Sequence, residues 1–115
     1  MGWGKGTPRS IRQVESGLSL LEKRALILAY QTCQQELYRA SPEDFGEAFD
    51  DMLDDALSSG DEDGLLSRGA RGVMMDLRET IRELPEEWPL LRDCLAAALP
   101  EPMTGPLFAY LEESC

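Results

Sequence analysis

The chain has 115 residues, of which 22 are acidic and 11 are basic, so its net charge is −11. It has no histidine, and this removes the commonest general base, metal ligand and catalytic-triad partner. We therefore expect a non-enzymatic protein without cofactor or metal. Because a negative surface repels nucleic acid and anionic lipid, we also expect it to contact neither nucleic acid nor a membrane.

The three cysteines, Cys33, Cys94 and Cys115, are widely spaced and form no CxxC pair. The first ten residues contain no apolar stretch of the kind that a secretion signal carries. An odd number of cysteines without such a signal favours a reducing, cytoplasmic location. Cys33 and Cys94 lie in apolar helical patterns and are expected to be small core residues. Cys115 is expected to be a free thiol.

Residues 1–7 form a glycine-rich arm in which the aromatic side chain of Trp3 stands out. Two interpretations of Trp3 stay open: it folds back onto the core, or it anchors a partner, as aromatic residues often do at interfaces. A Thr-Pro helix-start signal follows and predicts a short helix over 8–16. The sequence therefore divides into a flexible arm, 1–7, and a helical domain, 8–115.

The next two predicted helices have clear start signals. Ser19 and Glu22 match a capping box, and the apolar residues that follow at helical spacing predict a helix over 20–39. Its apolar stripe is so wide that we expect this helix to lie at the centre of a bundle. A Ser-Pro signal then begins a helix over 42–58, whose inner face is made of Phe45, Ala48, Phe49, Met52, Leu53, Ala56 and Leu57.

Helical patterns continue to the end of the chain. They predict three more helices, over 65–84, 88–99 and 107–113. Two prolines are expected to separate the last two helices. Gly69 and Gly72 either permit close packing of a neighbouring helix, or indicate that the helix begins only near Ala70. No segment alternates like a strand, so the sequence predicts an all-α fold, a compact bundle of five or six helices in a single domain.

Ten acidic residues, and no basic one, lie between positions 40 and 67. On a helix over 42–58, seven carboxylates fall opposite the apolar face, and each like-charged pair one turn apart costs about 0.2–0.5 kcal/mol. Three more acids follow in the 61–63 loop. We predict a partner-binding surface that consists of Glu43, Glu47, Asp50, Asp51, Asp54, Asp55, Asp61, Glu62 and Asp63.

Three interpretations of this surface compete. It binds a cationic partner, it holds a metal ion, or it is a plain solvated face, which the chain's own arginines could neutralise: Arg68, Arg71, Arg78 and Arg82. The metal interpretation is disfavoured because Leu57 stands where the EF-hand pattern needs an oxygen ligand. A face that serves solubility alone would usually mix signs, and this one does not.

The predicted outer helix face has about two-thirds of the charge density of duplex DNA over the same length. We therefore expect a binding protein whose acidic face occupies a basic groove of a partner, such as a nucleic-acid-processing complex, and inhibits it. Small acidic proteins that imitate nucleic acid are known as a class, notably phage inhibitors of host defence nucleases, and this chain resembles them in charge and size. The alternative is a structural or adaptor subunit that associates as a homodimer or within a larger complex, through an apolar surface of Trp3, Trp88, Phe108 and Tyr110.

Overall fold

The structure, a computed structural model, describes residues 11–39 and 46–113, with side chains for all of these except 46–49 and 113. These residues form six α-helices and contain no strand. The helices are α1 (Ile11–Ser16), α2 (Leu20–Tyr38), α3 (Gly46–Ser58), α4 (Leu65–Glu83), α5 (Trp88–Ala98) and α6 (Glu101–Glu113). The predicted all-α fold, a single-domain bundle, is confirmed.

Helix α4 lies at the centre of the bundle and contacts each of the other five helices. Its inward face is apolar and recurs at helical spacing, with the buried residues Leu66, Ala70, Val73, Met74 and Leu77. Helix α2, which the sequence predicts to be central, packs against α3, α4 and α5. Although the apolar stripe of α2 is wide, its neighbours leave part of it uncovered, and the side chain of Leu21 is 64% exposed.

A glycine in α4 explains how closely α2 and α4 approach. A Cβ atom added at Gly69 would lie only 2.6 Å from Cδ1 of Ile27, a core residue of α2. Since α4 already begins at Leu65, the close-packing interpretation of Gly69 is confirmed and the later helix start is not. A Cβ atom added at Gly72 would lie in open space, so Gly72 has no comparable packing role.

The capping box predicted for α2 is present. The Ser19 hydroxyl accepts a hydrogen bond from the Glu22 backbone N–H (3.1 Å), and the Ser19 N–H donates to the Glu22 carboxylate (2.8 Å). The helix ends at Tyr38, because Arg39 takes a left-handed backbone conformation with φ of 53°. The predicted helix starts at positions 8 and 42 lie outside the described residues, as does Cys115.

Helix α6 is longer than the sequence suggested. It begins at Glu101 rather than at position 107, and it contains both Pro102 and Pro106. Pro102 is tolerated because the first backbone N–H groups of a helix have no partner within it. Burial outweighs the poor helix propensity of the segment, since one face packs into the core with Met103, Leu107, Phe108, Tyr110 and Leu111.

Candidate functional site

The described side chains of α3 contact the bundle along an apolar edge. Three residues predicted for the same inner face lie outside the described side chains: Phe45, Ala48 and Phe49. Leu53 is fully buried, whereas Ala56 and Leu57 are half-buried. Met52, which the sequence placed on the inner face, is 51% exposed. The helix meets the core mainly through α2 and α4 on one side, so the wheel position of Met52 falls at the edge of the contact rather than within it.

The opposite side of α3 carries the predicted acidic residues. Asp50, Asp51, Asp54 and Asp55 are all exposed. Glu43 and the side chain of Glu47 lie outside the described part of the structure. The prediction that acids of this helix point outward is therefore confirmed for these four aspartates.

One of these four aspartates is paired within the protein. Arg24 of α2 contacts the Asp54 carboxylate at 2.7 Å, and the Asp54 side chain remains 57% exposed. Among the described residues, Asp50, Asp51 and Asp55 form no ion pair or side-chain hydrogen bond. The surface is thus only partly neutralised by the chain itself.

The arginines proposed to neutralise this helix are used elsewhere. Arg71 binds Glu15, Arg78 donates to the Tyr110 hydroxyl, and Arg82 contacts Glu83 at 3.9 Å. Arg68 donates to the backbone carbonyl of Asp63 rather than to its carboxylate. Within the described chain, then, none of the four forms an ion pair with an aspartate of α3.

Asp61 has a structural role that the sequence did not reveal. Its carboxylate accepts hydrogen bonds from the backbone N–H of Leu66 (2.8 Å) and of Ser67 (3.1 Å), and from the Ser67 hydroxyl (2.7 Å). It thereby caps α4, whose N-cap residue, Gly64, has no side chain to do so. Partial burial by itself raises the pKa of Asp61, but these hydrogen bonds outweigh it and lower the pKa. We therefore remove Asp61 from the partner-binding surface.

The cap continues into a buried polar network that links α1, α2 and α4. The Lys23 ammonium donates to the Ser67 hydroxyl (2.9 Å) and lies 2.8 Å from the Glu15 carboxylate. The other oxygen of Glu15 accepts from the Arg71 guanidinium at 2.7 Å. The Lys23 and Glu15 side chains are only 9% and 8% exposed. Each charged group therefore has a partner, as buried charges require.

The carboxylate of this network stays ionised. Burial would raise the pKa of Glu15, but hydrogen bonds and opposite charges from Lys23 and Arg71 outweigh the burial and lower it. The sequence reasoning missed this network. One signal was available, since Lys23 lies on the same helical face as the buried residues Leu26 and Ile27.

Beyond the cap, the turn between α3 and α4 completes the exposed surface. Glu62 and Asp63 are exposed, and within the described residues their carboxylates have no ion pair. A depression of about 330 Å³ joins them to α3. Asp55, Glu62 and Asp63 line it, together with the apolar side chains of Met52 and Leu65. We call the unpaired set the open acidic surface: Asp50, Asp51, Asp55, Glu62 and Asp63.

Three of the four aromatic residues that the alternative hypothesis placed on an apolar surface are buried. Trp88, Phe108 and Tyr110 are 8%, 6% and 5% exposed. The rings of Trp88 and Phe108 meet edge to face at 5.9 Å within the core. Trp3 lies outside the described residues. These three aromatic residues therefore stabilise the interior and offer no contact surface.

Of the two described cysteines, Cys33 is a core residue, as expected, whereas Cys94 is only partly buried and packs against the core. Cys33 is fully buried, and Cys94 is half-buried with its thiol 3.5 Å from the Glu36 carboxylate. Burial is the largest cause that raises the pKa of each thiol. Because the thiolate is the reactive form, neither residue is set up as a nucleophile.

Three further observations bear on function. The described residues contain no cluster of three or more acidic or cysteine side chains arranged to hold a metal ion. No helix in the described ranges is both long and apolar enough to cross a lipid bilayer. Comparison of the chain with models of protein families, with curated proteins and with solved structures finds no match.

Proposed function

We propose that the protein is a non-enzymatic binding protein. Its open acidic surface occupies a basic, nucleic-acid-binding groove of a partner protein and thereby inhibits that partner. The observation that supports this best is the set of five exposed carboxylates without an ion pair among the described residues. A second supporting observation is that Arg68, Arg71, Arg78 and Arg82 have partners elsewhere, so that among the described residues only Arg24 forms an ion pair with an aspartate of α3.

The spacing of these charges suits a site made for phosphates. Asp50 to Asp55 spans five residues, or about 7.5 Å of helix. Duplex DNA carries about four charges over that length, at one per ~1.7 Å. The helix presents three unpaired aspartates there and one paired with Arg24. Glu62 and Asp63 add two further exposed charges, and they line the same depression as Asp55.

The mechanism would be competition. A row of fixed carboxylates on a folded scaffold is attracted to the lysines and arginines of a groove and excludes the nucleic acid from it, with no chemical step. Such charge complementarity mainly accelerates association and fixes orientation, and it weakens as salt is added. Origin in a phage that blocks a host defence nuclease would fit this mechanism, because the chain resembles such inhibitors in charge and size.

The experiment uses a partner recovered from lysate at low salt and eluted by a salt step. Its affinity for the protein is then measured at several salt concentrations for the wild type and for the triple variant Asp50→Lys, Asp51→Lys and Asp55→Lys. We expect a large loss of affinity and a shallower salt dependence.

A matched control changes the net charge by the same amount at another place. It reverses three exposed acids of α4, α5 and the turn between them: Glu79, Glu86 and Asp93. We expect the control variant to keep most of the affinity. Equal effects of the two triple variants, or no effect of the first, would count against the proposed function.

A further inference from the structure

An apolar groove of about 200 Å³ lies between the α1–α2 corner and α6. Gly17 and Leu18 line it on one side, and Met103, Pro106 and Leu107 line it on the other. An engineered apolar cavity of about 150 Å³ is large enough to hold a benzene ring, so this groove has room for an aromatic side chain. Glu22 is its one acidic lining residue among those described.

Segment 1–10, which lies outside the described residues and leads directly into α1, is long enough to reach the groove. It contains one aromatic side chain, Trp3, eight residues before Ile11. Eight extended residues span about 26 Å, whereas Gly17 lies about 9 Å along the helical path from Ile11. Gly4 and Gly6 ease the reversal of the chain that this path needs.

The chemistry of the segment matches the groove. The indole is apolar except for its N–H group, which needs an acceptor when it is buried. The Glu22 carboxylate accepts one hydrogen bond, from Ser19, and has capacity for another. The segment also carries Lys5 and Arg9 and no acidic residue, so its charge is opposite to that of the protein as a whole.

We propose that Trp3 docks in this groove and that the segment 1–10 thereby ties α1 to α6. The described part of α1, Ile11–Ser16, supplies Glu15 to the buried network, and a short helix depends on packing for its stability. Docking of Trp3 holds α1 from its N-terminal side, while the network holds it against α2 and α4. This role is separate from the open acidic surface and does not depend on the proposed function.

The test is nuclear magnetic resonance on the full, unmodified chain with labelled methionine methyl groups. We expect nuclear Overhauser contacts between the Trp3 indole protons and the Met103 methyl group, at intensities independent of protein concentration. Absence of these contacts overturns the proposal. Contacts that appear only at high concentration also overturn it, because the groove then takes a second copy of the chain.

Fluorescence provides a second readout. In a Trp88→Phe background, Trp3 is the only tryptophan, and we expect blue-shifted emission with protection from acrylamide quenching. Gly17→Leu should fill the groove and abolish this protection, because Gly17 lines the groove. The fold should tolerate the change, because an added Cβ at Gly17 meets only ordinary contacts. The control is Gly72→Leu, at an exposed helical glycine with open space around it, and it should leave the protection intact. Quenching as fast as that of free indole before any groove variant is made contradicts the proposal.

Discussion

The buried network gives the sharpest stability prediction. Glu15→Gln leaves the Lys23 ammonium, 9% exposed, and the Arg71 guanidinium without the carboxylate that now lies 2.8 and 2.7 Å from them. Removal of one partner from a buried ion pair typically costs about 3–5 kcal/mol, because the remaining charge is left uncompensated. We expect a loss of this size in the free energy of unfolding.

The double variant Glu15→Leu with Lys23→Met distinguishes the cost of an unpaired buried charge from the cost of lost contacts. It removes both buried charges and replaces them with apolar side chains of similar volume, and Arg71, 31% exposed, can turn to water. Replacement of a whole buried pair is often neutral or stabilising. The double variant should therefore be more stable than Glu15→Gln alone, even though it removes more hydrogen bonds.

Urea unfolding followed by circular dichroism measures both effects. With a urea slope of about 2 kcal/mol/M, Glu15→Gln should lower the midpoint by roughly 2 M at an unchanged slope. The control is Glu79→Gln, an exposed acid of α4, which should stay within about 0.5 kcal/mol of the wild type. A Glu15→Gln variant as stable as this control, or a double variant less stable than Glu15→Gln, would refute the reasoning.

Three further predictions concern the cap, the glycines of α4 and the open acidic surface. Asp61→Ala, which removes the capping carboxylate, should cost about 0.5–2 kcal/mol and leave partner affinity unchanged. Because the folded pKa of Asp61 lies below its usual value of 3.8, its contribution is complete above that value and is lost as the pH falls through the folded pKa, so the variant should flatten the acid limb of a stability-against-pH curve. Gly72→Ala should stabilise by about 0.5–1 kcal/mol in thermal unfolding, and Gly69→Ala should gain less, because its added Cβ would lie 2.6 Å from a core side chain; equal gains would contradict the packing role. Asp51→Asn removes repulsion from two aspartates one turn away and should stabilise the protein by about 0.4–1 kcal/mol at low salt. This gain should vanish in 1 M salt, and the variant should bind the partner less tightly than the wild type does.

Local signals in the sequence were sufficient for most of the fold. The capping box at Ser19 and the helical spacing of the apolar residues placed α2, and the same spacing placed α4 and α5 to within one residue at each end. The outward direction of Asp50, Asp51 and Asp55 follows from that spacing alone. Helix α6 was misjudged because its prolines are locally unfavourable, and only burial of its inner face against the core explains why it begins at Glu101.

The candidate site was predicted less completely, because its important contacts are distant in the sequence. Glu15 meets Arg71 across 56 positions, and Lys23 meets Ser67 across 44. The pair between Arg24 and Asp54 likewise depends on how α2 and α3 pack. Helical periodicity reports which side of a helix faces inward, but it does not report which residue of another helix lies opposite.

The role of Asp61 shows a different limit. Its position in an acidic loop suggested an exposed charge, yet its left-handed backbone, with φ of 61°, accompanies a carboxylate bound to the start of α4. The acidic composition of the loop gives no reason to distinguish Asp61 from the surface charges, whereas its hydrogen bonds to α4 make it part of the folded scaffold. The open acidic surface is therefore smaller than predicted, and Asp55, Glu62 and Asp63 lie together around its depression.

Competition with duplex DNA for the recovered partner tests the proposed function most directly. Fluorescently labelled duplex is bound to the partner, and the protein is added at increasing concentrations at fixed salt. If the open acidic surface occupies the nucleic-acid groove, the apparent Kd for DNA should rise in proportion to the concentration of free protein, and the variant with Asp50, Asp51 and Asp55 reversed to lysine should not compete. A stable ternary complex of partner, DNA and protein, with the DNA affinity unchanged, would contradict the proposal.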